Sequence, residues 1–209
     1  MIISLLFSQP ELFLIWLLSI AYGITVHEFS HVLAAYLQGD DTGKLLGRLT
    51  LNPLAHVDGF GLIMLLFVGF GWGKPAPYNP YNLKYRRWGE VIVALAGPLS
   101  NLISIIIFVI AVNVLSSFLG PYNLLMRFLG FLILINIVLL AFNLIPIPPL
   151  DGSKLLFEIL PAKYSHIKQQ LSRNGPWVLF MLIIADNILG INIFGHIFSV
   201  FFKLAGVFT

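Results

Sequence analysis

Long apolar segments dominate this chain. Four of them, at about 11–38, 89–118, 124–147 and 176–203, are each long enough to cross a lipid bilayer with some tilt. Backbone N–H and C=O groups cannot remain unpaired in lipid, so such segments form helices rather than strands. The pattern therefore predicts an all-α polytopic membrane protein with about four long transmembrane helices.

A fifth apolar segment, from Phe60 to Trp72, is only about 13 residues long and is rich in glycine. That length is too short to cross the hydrocarbon layer as a helix. Irregular backbone at membrane depth is tolerated where protein buries it, which suits a glycine-rich piece. We therefore predict a short re-entrant segment here.

The stretch Leu45 to Leu54 alternates loosely between apolar and polar residues and ends in Asn-Pro. This pattern is typical of a short strand or hairpin followed by a turn. It predicts a small β element on the cytoplasmic side, whose edge could pair with an extended substrate.

The basic residues orient the predicted spans. Cytoplasmic loops collect Lys and Arg near span ends. If the short apolar segment does not cross, most basic residues share one side, and Arg127 and Lys203 lie opposite. We therefore expect the loops 39–88 and 148–175 to be cytoplasmic and both termini to be outside.

Composition limits the other possibilities. The 209 residues are 58% hydrophobic and 10% charged, so we expect one domain over 1–209, with a core at about 11–160 and a C-terminal span at about 176–203. The chain has no cysteine, which leaves His and carboxylates as its strong metal ligands. The formal charge of +3 forms no basic run, so we expect lipid contacts and no nucleic-acid partner, while the oligomeric state stays open.

The first span contains the sequence HEFSH from His27 to His31. Residues four apart lie on one face of a helix, so both imidazoles could bind one zinc ion while Glu28 remains free as a base. The motif also occurs by chance, and a lone helical histidine is usually a core residue. Here the three groups lie within a span, where an ionisable side chain costs about 3 kcal/mol or more, so a functional role is favoured.

A third ligand should come from another ionisable group at similar depth. Asp151 is the candidate, because it follows a segment with prolines at 146, 148 and 149 that breaks the helix and allows the backbone to line a polar cavity. The alternative is that Asp151 is simply the N-cap of a helix from Gly152 to Leu160.

Three further residues are possible accessories of the site. His56 and Asp58 could add a ligand, gate the site or shape a turn, and we favour the turn or the gate. Asn101 follows Gly97 and Pro98 at the start of a span, where small residues permit close helix packing. We expect Asn101 to hydrogen-bond within the core rather than to take a direct part in catalysis.

These motifs, HEFSH followed by GPLSN and then NLIPIPPLDG, resemble the site-2 protease family of intramembrane zinc metalloproteases over about Gly23 to Glu158. The segments NPLAHVD and GWGKP are similar to a compact bacterial and archaeal branch without a PDZ or CBS domain. The resemblance implies one zinc ion held by His27, His31 and Asp151, with Glu28 as the base. It also implies that Asn143 holds the substrate or stabilises the oxyanion.

The expected activity is hydrolysis of peptide bonds within or near transmembrane segments of protein substrates, as in regulated intramembrane proteolysis. We expect a prokaryotic cell membrane, with the active site nearer the cytoplasmic face. Intramembrane His and Asp also mark ion paths, so a metal transporter is one alternative. An inactive membrane scaffold is another.

Overall fold

The computed structural model describes residues 3–204 and is built from helices joined by short turns. The predicted domain limits at 1 and 209 lie outside these residues. The helices are α1 (Ile3–Ser8), α2 (Pro10–Leu37), α3 (Thr42–Leu45), α4 (Pro53–His56), α5 (Gly59–Val68), α6 (Gly89–Leu115), α7 (Leu124–Asn143), α8 (Gly152–Ile159), α9 (Ser165–Leu189) and α10 (Ile193–Leu204). Single 3-10 turns lie at Pro80–Asn82 and Ala162–Tyr164.

The all-α membrane architecture is confirmed, but the number of spans is not. Within residues 3–204, three helices are long and apolar enough to cross a membrane: α2, α6 and α7. The predicted fourth span, 176–203, is interrupted because α9 ends at Gly190, which has a left-handed backbone with φ of 64°. The following helix α10 has only 12 residues, which is too short for an ordinary span.

Helices α2, α6 and α7 pack against one another and form the centre of the fold. Ile105 of α6 and Ile133, Ile137 and Leu140 of α7 form a buried apolar cluster between them. Helices α2 and α6 have one face against their neighbours and another with exposed large apolar side chains, as expected where lipid replaces water. In α7 the exposed large apolar side chains are Leu124 and Leu125 at its start, and its remaining length is more enclosed.

The glycine-rich segment folds back on itself. Helix α5 begins at Asp58, whose side chain accepts a hydrogen bond from the Gly61 N–H, and it ends at Gly69, which has φ of 84°. The chain then returns until Gly73 forms an antiparallel bridge with Val57. A side chain at Gly61 would overlap the carbonyl oxygen of Trp72, so backbone packs directly on backbone. That this segment enters the membrane without crossing it stays a prediction.

The predicted β element at 45–54 is not confirmed. Leu45 is the last residue of α3, and Gly47 adopts a positive φ of 69°. Asn52 caps α4 by accepting a hydrogen bond from the Leu54 N–H. Turns and a helix cap therefore form where a strand was expected. The only strand-like pairing among the described residues is the bridge between Val57 and Gly73.

Asp40 joins the end of α2 to the loop that leads towards α6. Its carboxylate is 1% exposed and accepts hydrogen bonds from the Thr42 hydroxyl at 2.6 Å, the Asn79 N–H at 2.8 Å and the Asn82 amide at 2.9 Å. Burial alone would raise the pKa of this carboxyl, but the hydrogen bonds lower it below its usual value. The ionised form therefore stabilises the folded loop.

We expect Asp40→Ala to lower the free energy of unfolding by about 3 kcal/mol, because several donors to a buried carboxylate lose their acceptor. The depressed pKa means that this contribution is present above about pH 4 and is lost as the pH falls towards the folded-state pKa. Thermal unfolding in detergent at pH 7 and at about pH 2 measures both effects. The control is Asp41→Ala, an exposed neighbour that makes no side-chain cap, and equal midpoints for the two variants would contradict the assignment.

Candidate metal centre

Helix α2 places His27 and His31 one turn apart on its buried face. The two residues are 4% and 6% exposed, and their ring centroids are 4.6 Å apart. The Nε2 atoms of both rings approach the same oxygen, Oδ2 of Asp151, at 3.1 Å and 3.3 Å. The structure thus brings together the three residues that the sequence analysis proposed as metal ligands.

The other ring nitrogens are held by acceptors from α6. His27 Nδ1 lies 2.6 Å from Oδ1 of Asn101, and His31 Nδ1 lies 2.7 Å from the carbonyl oxygen of Val93. A carbonyl oxygen only accepts, so each Nδ1 carries the proton and donates it. In the neutral rings, both Nε2 atoms then present lone pairs towards Asp151.

This donor set fits a zinc ion. With both rings neutral, two imidazole lone pairs and a carboxylate oxygen converge on one point, an arrangement that a shared cation would stabilise. Ligand atoms of His27, Glu28 and His31 all lie within 4.8 Å of one another. Oε2 of Glu28 is buried and has no hydrogen-bond partner, so a further polar species would complete the site.

Asp151 reaches the histidines from the turn between α7 and α8. It occupies the N-cap position of α8 but makes no side-chain cap hydrogen bond. Its carboxylate points to His27 and His31 instead, so the position at the helix start and the contacts within the site coexist. Gly152 permits this approach, because a side chain there would overlap the Leu144 carbonyl.

Two ion pairs tie α8 to the region where α6 begins. Lys154 Nζ lies 2.7 Å from Oε2 of Glu90, and Arg87 Nε lies 2.7 Å from Oε1 of Glu158. Exposed pairs of this kind contribute little individually, about 1 kcal/mol or less. Their position is informative, since they connect the helix that follows Asp151 to the first turn of α6 and to the residues just before it.

Other residues proposed from the sequence lie around the site without joining this cluster. Asn143 ends α7, and its amide donates to the Leu139 carbonyl at 3.0 Å. Asp58 caps α5, as described above. His56 is fully buried, with Nε2 2.7 Å from the Thr50 carbonyl and Nδ1 without a partner, and it lies outside the metal-ligand cluster found among the described residues.

Sequence reasoning missed Asn136 and the part that Gly97 plays. Asn136 is fully buried in α7 and accepts a hydrogen bond from Asn101 at 2.8 Å. A polar residue in the middle of an apolar span was an available signal, because its burial in a membrane requires a partner. Gly97 was expected only to permit helix packing, whereas it faces both imidazoles directly.

A cavity of about 640 Å³ opens beside the cluster. Its walls are largely apolar and come from α2, α5 with its returning loop, α7 and α10, including Ile24, Trp72, Phe142 and Phe194. Ile24 lies one helical turn before Glu28 on α2, and it is the wall residue of this helix that is nearest to the cluster along the chain. We refer to the cavity as the apolar chamber.

Comparison with known proteins adds an independent line of information. A model of the family described as peptidase family M50 matches residues 15–124 and 121–185. The matched residues include His27, Glu28, His31 and Asp151. None of the solved structures matches the chain.

Three relatives illustrate the similarity. The chain is 40% identical over 174 residues to "Putative zinc metalloprotease YwhC" of Bacillus subtilis (strain 168), covering 79% of this chain and 78% of that protein. It is 33% identical over 146 residues to "Putative zinc metalloprotease Rip2" of Mycolicibacterium smegmatis, covering 66% of this chain and 52% of the relative. It is also 32% identical over 119 residues to "Zinc metalloprotease MJ0392" of Methanocaldococcus jannaschii, covering 56% and 34% of the two proteins.

Gly97→Ala tests the geometry of the cluster. A Cβ atom at Gly97 would lie 2.5 Å from Nε2 of His31 and 2.7 Å from Cε1 of His27, so both rings would have to move. We expect the zinc affinity to fall about 10-fold or more, the scale seen when the groups that orient ligands are lost. Competition with a chromophoric chelator measures this affinity.

The matched control is Gly130→Ala, because a Cβ at this helical glycine of α7 would meet nothing within 4 Å. This variant should bind zinc as the wild type does. Equal zinc affinities for the two variants would show that Gly97 does not limit the position of the imidazoles.

Proposed function

This chain belongs to peptidase family M50, and we propose that it hydrolyses peptide bonds within or near the transmembrane segments of other membrane proteins. The family expected from its motifs, that of the site-2 proteases, is confirmed. The chain is an integral membrane zinc metalloprotease. The observation that carries the finer proposal is the convergence of His27, His31 and Asp151 beside the unpartnered Glu28 carboxylate.

We assign zinc binding to Nε2 of His27, Nε2 of His31 and Oδ2 of Asp151. Three protein ligands leave an open coordination position, which is the arrangement typical of catalytic rather than structural zinc sites. When bound, zinc would act as a Lewis acid that makes water nucleophilic at neutral pH and polarises a peptide carbonyl.

Glu28 is proposed as the general base. Its neighbours on α2 are the two histidines, and its Oε2 is free to accept a proton from the attacking water. The same carboxyl can then deliver that proton to the leaving amine nitrogen, which balances the hydrolysis.

Asn143 is proposed to hold the substrate or to stabilise the oxyanion. It ends α7 and follows Phe142, which lines the apolar chamber. Its amide donates to the Leu139 carbonyl, so one of its two N–H bonds remains available to a substrate carbonyl. The role requires an incoming peptide to pass between Asn143 and Glu28.

The apolar chamber is the proposed binding site for the substrate. Its walls suit apolar side chains from an unwound membrane segment, and two of its wall residues, Ile24 and Phe142, lie one helical turn before Glu28 and directly before Asn143. The loop that ends at Gly73 passes close by, since a Cβ there would lie 4.0 Å from Cγ of Glu28. We propose this extended backbone, rather than 45–54, as the edge along which a substrate strand lies.

We propose a prokaryotic cell membrane as the location, with the site nearer the cytoplasmic face, because Lys and Arg concentrate in the loops beside the metal cluster. The alternatives, a metal transporter and an inactive scaffold, have no support among the relatives, which are named as metalloproteases.

Glu28→Gln should retain zinc and lose cleavage, because the amide keeps the shape of the side chain but cannot accept the proton. General base catalysis contributes about 10²- to 10⁴-fold, so we expect kcat to fall by that factor. The measurements are zinc content and cleavage of a single-span test substrate by purified protein in detergent.

Glu11→Gln is the matched control, since Glu11 is an exposed residue at the start of the same helix. It should cleave as the wild type does. If Glu28→Gln retained wild-type cleavage, Glu28 would not be the base, whereas loss of zinc from this variant would indicate a role in metal binding.

Val138→Phe tests the apolar chamber, which Val138 lines from α7. The larger ring occupies space proposed for substrate, so we expect kcat/KM for a single-span substrate to fall about 10-fold, within the range of one apolar contact in a pocket. Zinc content should be unchanged. Leu125→Phe, at an exposed position on the same helix outside the chamber, is the control, and equal kinetics for both variants would place substrate binding elsewhere.

A further inference from the structure

A row of fully buried amide groups runs from α7 through α6 to the proposed metal ligands. Asn136 and Asn101 are both 0% exposed. The Asn136 amide nitrogen donates to the Leu132 carbonyl at 2.7 Å, and Asn136 Oδ1 accepts from the Asn101 amide at 2.8 Å. Asn101 Oδ1 then accepts from Nδ1 of His27 at 2.6 Å.

The direction of these hydrogen bonds is determined at the end furthest from His27. The Leu132 carbonyl can only accept, so the NH₂ group of Asn136 must face it and Oδ1 must face Asn101. The NH₂ group of Asn101 therefore turns towards Asn136, and its oxygen turns towards His27. The Asn101 amide has a second, longer contact with the Gly23 carbonyl at 3.5 Å, which favours the same orientation.

We propose that Asn136 is a positioning residue that acts through Asn101 to hold His27 in the tautomer that binds zinc. With Asn101 Oδ1 facing Nδ1, the proton of the neutral ring is on Nδ1, and Nε2 keeps its lone pair for the metal. If the Asn101 amide turned over, its NH₂ group would face Nδ1 and favour a proton on Nε2. Histidine ligands commonly depend on a carboxylate or backbone carbonyl for this purpose, whereas here a two-residue amide relay supplies it.

This inference rests on the proposed function, since it requires His27 to be a zinc ligand. The position of Asn136 supports an action at a distance. The hydrogen bonds of Asn136 go to Leu132 and Asn101, and none of them reaches His27. Its substitution is therefore expected to affect the metal by changing the orientation of Asn101.

The test measures the Zn²⁺ dissociation constant of the purified full chain by chelator competition in detergent. Asn136→Leu is close in size but offers neither a donor nor an acceptor, so we expect the dissociation constant to rise about 10-fold, within the range for groups that orient metal ligands. Asn136→Asp should rescue binding to within about threefold of the wild type. A buried carboxylic acid is expected to be neutral, so it can donate to Leu132 and accept from Asn101.

A matched control separates positioning from loss of stability. Ile137→Ala removes a 1% exposed side chain next to Asn136 in the same helix, so it creates a cavity and lowers the thermal midpoint without touching the amide relay. Its zinc affinity in the folded protein should equal that of the wild type. In the Co²⁺-substituted protein, Asn136→Leu should alter the visible absorption bands, and Ile137→Ala should not.

Each outcome has one meaning. Wild-type zinc affinity in Asn136→Leu would overturn the inference, as would equal losses of affinity in the Leu and Asp variants. His27→Ala is measured alongside to distinguish the two proposals: retention of zinc by that variant would refute His27 as a ligand and with it the proposed site. Loss of zinc in His27→Ala together with wild-type binding in Asn136→Leu would refute only the positioning role.

Discussion

Everything in the centre of this protein follows from the need to satisfy polar atoms where little water can reach them. Two imidazoles buried on one face of α2 present four nitrogens, and each requires a partner. The two Nδ1 atoms donate to acceptors from α6, and the two Nε2 atoms turn towards one carboxylate oxygen. A polar cluster of this kind is costly unless it is complete, and a bound cation would complete it.

That requirement also explains how distant segments are recruited. Asp151 arrives from a turn more than a hundred residues along the chain, and two ion pairs link the helix that follows it to the first turn of α6 and to the residues just before it. Helix α7 contributes an amide behind Asn101 rather than a ligand. The three long helices thus hold the site in different ways, and they pack against one another through apolar side chains.

The chemistry of the site was more predictable from the sequence than its surroundings were. The spacing of His27 and His31 predicts that both side chains lie on one face of the helix, because residues four apart share a helix face in any fold. The contact between Asn136 and Asn101 depends on which face of α7 packs against α6, and the sequence of α7 alone does not determine that tertiary arrangement. The β element predicted at 45–54 is not present, because the positive φ of Gly47 and the Asn52 helix cap favour turns over a weakly alternating strand. The predicted last span is interrupted at Gly190, which has a left-handed backbone. Apolar periodicity reports length and burial but does not reveal such local breaks.

The backbone packing of the α5 hairpin limits how this protein can change over generations. A methyl group at Gly61 would strike Trp72, and one at Gly71 would strike Gly61, so neither position can accept another residue alone. Ordinary core positions drift by exchanging one apolar side chain for another of similar volume. At these two glycines no other residue of similar volume is available, so the hairpin can be inherited only intact or replaced as a whole. We expect substitutions to occur instead among the apolar side chains that face the chamber.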